Sequence, residues 1–221
     1  MSYQLLIFDW DGTLIDSTGR IISSFQGGAR ELGLRIPPDE EVRNIIGLGL
    51  KEAIEQVMPE LNSTQVDALA QAYSRHYLEV DETPTALFHA VTEGLEYLRA
   101  RGFRLAVATG KSRRGLDRVM QETGLGHLFE VTRCADETRS KPHPRMLEEI
   151  LAHTKVSVDS ALMIGDTDYD LNMATNAGMD ALAVTYGAHE LSRLEQAQPT
   201  HRVDSFVDFI DWIQDRQRIE V

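Results

Sequence analysis

Leu5-Leu-Ile-Phe-Asp-Trp-Asp-Gly-Thr-Leu14 is a short apolar run broken off by two aspartates one residue apart and closed by Gly-Thr. The apolar part has the length and flanks of a strand buried on both faces, as in a parallel sheet. Two carboxylates at the end of such a strand repel each other and are costly to desolvate, so something there must neutralise them. A divalent cation does so. So does a division of labour in which one carboxylate is an ionised nucleophile and the other a protonated acid. An EF-hand calcium loop opening at Asp9 needs Gly at its sixth position and Glu at its twelfth, where this chain has Leu14 and Arg20, so calcium of that kind is excluded.

Outward from this stretch, strand-like runs at residues 3–8, 104–108, 129–134, 161–164 and 181–185 alternate with helical periodicity at 92–101, 112–122, 142–153 and 168–177. Gly102, Gly124 and Gly178 stand just past three of these helices, as C-terminal caps do. Such alternation predicts an α/β fold, a doubly wound parallel sheet with a Rossmann-like core. A last strand near 201–203 and a helix from 206 to about 217 close it, with Asp204 or Ser205 as N-cap. Residues 16–83 break the pattern. They carry no convincing strand, recurrent amphipathic runs, and breaks at Pro37-Pro38, Gly47-Leu48-Gly49 and Pro59. The expected organisation is therefore an α/β core of 1–15 and 84–221 with a small helical module at 16–83.

The chain has 221 residues, 42% apolar and 26% charged, as in ordinary globular proteins. No apolar stretch approaches the roughly 20 residues that cross a bilayer, and the first strand begins too early to leave room for a signal peptide. Cys134 is the single cysteine; it is expected to pack as a small apolar residue in a reducing, cytoplasmic compartment. A net charge of −13 argues against nucleic acid and anionic membranes as partners. An anionic substrate would need local cations to overcome that field.

Three further sites follow proposed strands or open helices: Thr109-Gly110, Lys141 in Ser140-Lys-Pro-His-Pro144, and Gly165-Asp-Thr-Asp-Tyr-Asp170. In doubly wound folds this edge of the sheet binds ligands. In their order and placement these sites and residues 5–14 resemble the four motifs of the haloacid dehalogenase-like hydrolases, most of which are phosphotransferases, and most closely the phosphoglycolate phosphatase group. The resemblance implies that Asp9 is the nucleophile and Asp11 the acid/base. It implies that Thr109, Gly110 and Lys141 bind the phosphate, with Lys141 balancing the aspartates. Magnesium would be held by the Asp9 and Asp166 carboxylates and the Asp11 carbonyl, and Asp170 would bind it or one of its waters. The helical module would be the family's cap. The family's dehalogenases lack the second aspartate, so Asp11 favours phosphoryl transfer. Trp10 departs from the group's usual aliphatic residue, which concerns packing.

Magnesium is preferred to zinc because the candidate ligands are all oxygens and the seven histidines show no ligand spacing. A calcium loop from Asp166 fails at Leu171 and Ala177. Asp168 is read as a helix-start carboxylate, Lys111 as a solvated charge, and His143 as structural or close to substrate. Arg43, Lys51 and Arg75 are candidate anion contacts from the inserted module. The expected function is a magnesium-dependent phosphatase acting on a small phosphorylated metabolite through an aspartyl-phosphate, as a monomer or homodimer. A phosphomutase and a non-hydrolytic phospho-receiver or binding module are the alternatives.

Overall fold

The computed structural model describes residues 3–218. Its main sheet has six parallel strands in the order β5-β4-β1-β6-β7-β8. These are β1 (Leu5–Phe8), β4 (Arg104–Thr109), β5 (Val131–Cys134), β6 (Ala161–Gly165), β7 (Asp180–Val184) and β8 (His201–Val203). The chain winds from β1 through β4 to β5, then returns to the other side of β1 to begin β6. The doubly wound α/β fold expected from the sequence is therefore present.

Every residue of β1 is buried, and its alternate side chains serve two cores. Leu6 and Phe8 join Leu105, Val107, Leu162 and Ile164 against Leu95, Leu116 and Phe209, which lie on α5 (Val91–Ala100), α6 (Arg113–Thr123) and α10 (Phe206–Arg218). Leu5 and Ile7 join Ala106, Ala108 and Met163 against Met146, Ile150 and Leu171, on α7 (Arg145–Thr154) and α8 (Asp168–Asn176). A run apolar at every position is what a strand covered on both faces requires. Trp10 is fully buried in the first core, its ring edge-on to Phe129 at 6.0 Å, in keeping with a packing role. Gly102, Gly124 and Gly178 all adopt positive φ just past their helices, the conformation their positions predict.

Between the first strand and α5 the chain forms α1 (Thr18–Glu31), α2 (Asp39–Arg43), α3 (Leu50–Val57), α4 (Ser63–Arg75) and a π-helical turn at His76–Val80. These helices bury a third apolar cluster, including Phe25, Ile54 and Leu69, drawn almost wholly from residues 21–78. The α4 start carries a reciprocal capping box between Asn62 and Gln65. Two short strands, β2 (Ile15–Asp16) and β3 (Ala86–Leu87), pair antiparallel where the chain leaves and re-enters the main sheet. Neither is anticipated by alternation, because two residues are too few to show a period. The same holds for the six-residue α9 (Leu191–Gln196). Helix α7 starts three residues later than its periodicity suggests, since a turn closed by His143 N–H donating to Ser140 C=O (3.1 Å) precedes it.

Candidate active site

Phe8 lies level with Val107 and Ile164 across the sheet. The carboxyl ends of these strands therefore converge at one edge: Asp9 after β1, Thr109 at the end of β4, and Asp166 after β6. Lys141 enters from the turn before α7, and Asp170 from the first turn of α8. Asp9, Thr109, Lys141, Asp166 and Asp170 are all buried.

Lys141 Nζ lies 2.8 Å from Asp9 Oδ1 and 2.6 Å from Asp170 Oδ1. These are close, charge-assisted pairs on Oδ1, and Asp9 Oδ2 is left without a donor. Burial opposes the ammonium, but Asp170 and Asp9 outweigh it and hold the Lys141 pKa above its ordinary value. Burial pushes Asp9 well above the usual carboxylate range; Lys141 pulls it back only in part, while Asp170 and Asp166 push it further.

Carboxylate oxygens of Asp9, Asp166 and Asp170 lie within 4.8 Å of one another. When all three are ionised, three buried carboxylates against one ammonium leave negative charge that a proton or a cation must neutralise. Asp166 is aimed by two donors, the Thr13 hydroxyl at 2.8 Å and Ala188 N–H at 2.7 Å. Asp170 Oδ2 is fixed by Thr167, whose hydroxyl donates at 2.7 Å in a capping box at the start of α8. An all-oxygen cluster with surplus negative charge and open lone pairs on Asp9 fits a hard divalent cation. Gly12 (φ +78°) shapes this floor, since a Cβ there would fall 2.1 Å from Asp166 Oδ2.

The Asp11 carboxylate stands outside that cluster. Its Oδ1 accepts from the Ser17 hydroxyl at 2.5 Å, and its Oδ2 pairs with Lys111 Nζ at 3.0 Å. Ser17 occupies the N-cap position of α1 yet makes no cap bond, because its hydroxyl is turned to Asp11. Lys111 corrects the reading from sequence. Far from being solvated, its side chain is 9% exposed, and it donates to the Tyr77 hydroxyl at 3.3 Å. Burial opposes its charge, and Asp11 more than restores it.

Thr109 Oγ1 accepts from Lys111 N–H at 3.2 Å and faces a cavity of about 140 Å3 shared with Asp9, Asp11 and the helical insert. Gly110 has a reason the sequence did not reveal. A Cβ there would meet Leu48 O at 2.4 Å and Gly47 O at 2.6 Å, so its bareness admits the insert's backbone. Arg43, Lys51 and Arg75 do not line the cavity. Lys51 pairs with Asp67, and Arg75 with Glu31, on the insert's outer surface. Asp168, turned away from the cluster, is held by Arg193 and His189. His143 is not among the residues lining the cavity; its ring accepts from Arg145 N–H at 3.2 Å.

The family model of the haloacid dehalogenase-like hydrolases matches residues 6–184, the stretch that holds every residue of this edge. The chain belongs to the haloacid dehalogenase-like hydrolases. Among its relatives, a protein of Dickeya dadantii named probable phosphatase IndB is 35% identical, with 93% of this chain and 91% of that protein covered. A phosphoglycolate phosphatase of Psychrobacter arcticus is 30% identical, with 96% of each covered. A crystal structure described as a predicted phosphoglycolate phosphatase, from Haemophilus somnus, superposes with a TM-score of 0.86 at 24% identity, over 96% of this chain and 98% of that one; this last likeness speaks for the fold. The chain's place in the family is among the phosphatases, as residues 5–14 and the later motifs led us to expect.

Ser17, Thr13 and Tyr77 have no role in the sequence reading, and Lys111 has the wrong one. Lys111 follows Thr109-Gly110 directly, which is a usable signal. Ser17 and Thr13 carry none, since a hydroxyl near a turn is common and their partners are fixed only by the fold.

Proposed function

We propose that the protein is a magnesium-dependent phosphatase of small phosphate monoesters, similar to the phosphoglycolate phosphatases, working through a phosphoryl group carried on Asp9. The observation that carries this reading is Asp9 itself: a buried carboxylate with Oδ1 paired to a buried ammonium and Oδ2 free of hydrogen bonds, opening on a cavity it shares with Asp11 and Thr109. Asp9, Asp166 and the Asp11 carbonyl would hold magnesium, with Asp170 supporting it; the ion supplies charge neutralisation for the phosphoryl oxygens.

An Asp9 oxygen attacks phosphorus as the phosphorus–oxygen bond to the alcohol breaks, and Asp11 gives its proton to the departing alkoxide. Asp11, now ionised, takes a proton from water, whose oxygen attacks phosphorus and releases phosphate from Asp9. Lys141 and the Thr109 hydroxyl steady the phosphoryl oxygens throughout. Residues 16–83 act as a cap over the core formed by 1–15 and 84–221, excluding water when closed. The single buried cysteine and the acidic surface suit a cytoplasmic enzyme. Among the described residues no helix is long and apolar enough to cross a membrane.

The test is inorganic phosphate release from an aryl phosphate and a panel of phosphorylated metabolites. Asp9→Asn is expected to abolish it, a loss beyond the ~3–4 kcal/mol typical of a group aimed at transition-state charge, and exhaustive chelation is expected to do the same until magnesium is returned. Substantial turnover by Asp9→Asn would contradict the mechanism. An isomerised sugar phosphate without free phosphate would replace the hydrolase with a mutase.

A further inference from the structure

The cavity above Asp9 differs from the anion-binding groove that a second charge on the substrate would need. Its volume, about 140 Å3, is about that of one small-molecule cavity and must take the phosphoryl group at Asp9 together with the alcohol part. Beyond Asp9, Asp11 and Thr109 its wall is mostly apolar, with Ile21, Phe25, Ile45, Ile46 and Leu50 supplied by the insert and Tyr77 beside them. Among the lining residues Lys111 is the one cation. That ammonium is committed: it lies 3.0 Å from Asp11 Oδ2, 3.3 Å from the Tyr77 hydroxyl and 4.7 Å from the centre of the Tyr77 ring. A carboxylate on the alcohol part of the ester would find only neutral partners there, among them Tyr73, Ser74 and Ser112, unless it drew Lys111 away from Asp11. Both are unfavourable, whereas an uncharged apolar group loses nothing and is drawn in by burial.

We infer that the insert selects esters whose alcohol part is uncharged and apolar, a few carbons in size, over esters such as phosphoglycolate that carry a second negative charge, with Lys111 serving to hold Asp11. This rests on the phosphatase reading above and departs from the substrate named for the Psychrobacter arcticus relative.

The test compares kcat/KM for phosphoglycolate with that for isobutyl phosphate, in which two methyls take the place of the carboxylate oxygens, and uses p-nitrophenyl phosphate as a general control. Isobutyl phosphate is expected to be at least about tenfold better, mainly through KM. Leu50→Lys places a cation at the half-buried rim of the cavity and is expected to shift the ratio toward phosphoglycolate by about tenfold. Lys111→Met is expected to lower kcat for both esters alike. Phosphoglycolate turned over as well as isobutyl phosphate, or lost selectively in Lys111→Met, would overturn the inference while the control leaves the phosphatase reading standing. No phosphate from any of the three esters would overturn both.

Discussion

Lys141 carries the charge balance of the site on one ammonium, pinned between Asp9 and Asp170 at 2.8 and 2.6 Å. Lys141→Met keeps the volume and removes the charge, leaving both carboxylates buried without a cation. We expect a loss of about 3–5 kcal/mol in denaturant unfolding without added metal, and a fall in kcat/KM of roughly a hundredfold or more. Unchanged stability would mean that the carboxylates are neutral in the folded chain whatever their neighbour. At this scale the sequence was legible where chemistry and position coincide: Asp9 and Asp11 follow β1, Asp166 follows β6, Asp170 lies in the first turn of α8, and Lys141 lies in the turn before α7. Lys111 was not, because an isolated lysine is ordinarily solvated and its partner Asp11 lies a hundred residues away.

The elements bring the insert and the sheet edge together through bare backbone. Gly110 after β4 faces the carbonyls of Gly47 and Leu48, Gly49 N–H donates to the Ser140 hydroxyl at 2.8 Å, and the Tyr169 hydroxyl donates to Asn44 C=O at 3.1 Å. Gly110→Ala would force that loop away without touching a core residue. The expected outcome is a drop of about tenfold in kcat/KM on a small metabolite ester, corresponding to ~1.4 kcal/mol, with a much smaller drop on an aryl phosphate and little change in unfolding. Equal losses on both would show that the insert does not bear on the substrate. Long elements were legible here, since β1, β4 and β6 and the helices between later strands declare their periods. The β2–β3 pair was not, for it depends on two chain segments about seventy residues apart meeting side by side.

For the molecule as a whole, the net charge of −13 and a site rich in buried carboxylates make stability depend on pH and on cation. Burial, helped by Asp170, raises the Asp166 pKa from 3.8 to about 6. A carboxyl that binds its proton more tightly in the folded than in the unfolded chain contributes stability in full below 3.8 and loses it as pH rises through about 6. Above that pH the ionised site is a cost that a bound divalent cation would offset. The rise in Tm caused by magnesium at a hundredfold excess over Kd, about 5–10 °C for ~2.7 kcal/mol in a chain of this size, should therefore be present near pH 7.5 and largely absent at about pH 5, because binding must first displace the proton. An equal rise at both values, by scanning fluorimetry, would place the ion elsewhere.

The measurement that bears most directly on the account is capture of the phosphoryl group. Asp11→Asn can still hydrogen-bond but cannot take a proton from water, so attack on an activated aryl phosphate survives while release of phosphate stalls. Rapid acid quench and peptide mass spectrometry should find one phosphoryl group on the peptide holding Asp9 and a burst of phenol matching the enzyme concentration. Phosphate on a histidine or serine, or steady release of phosphate with no covalent adduct, would contradict it.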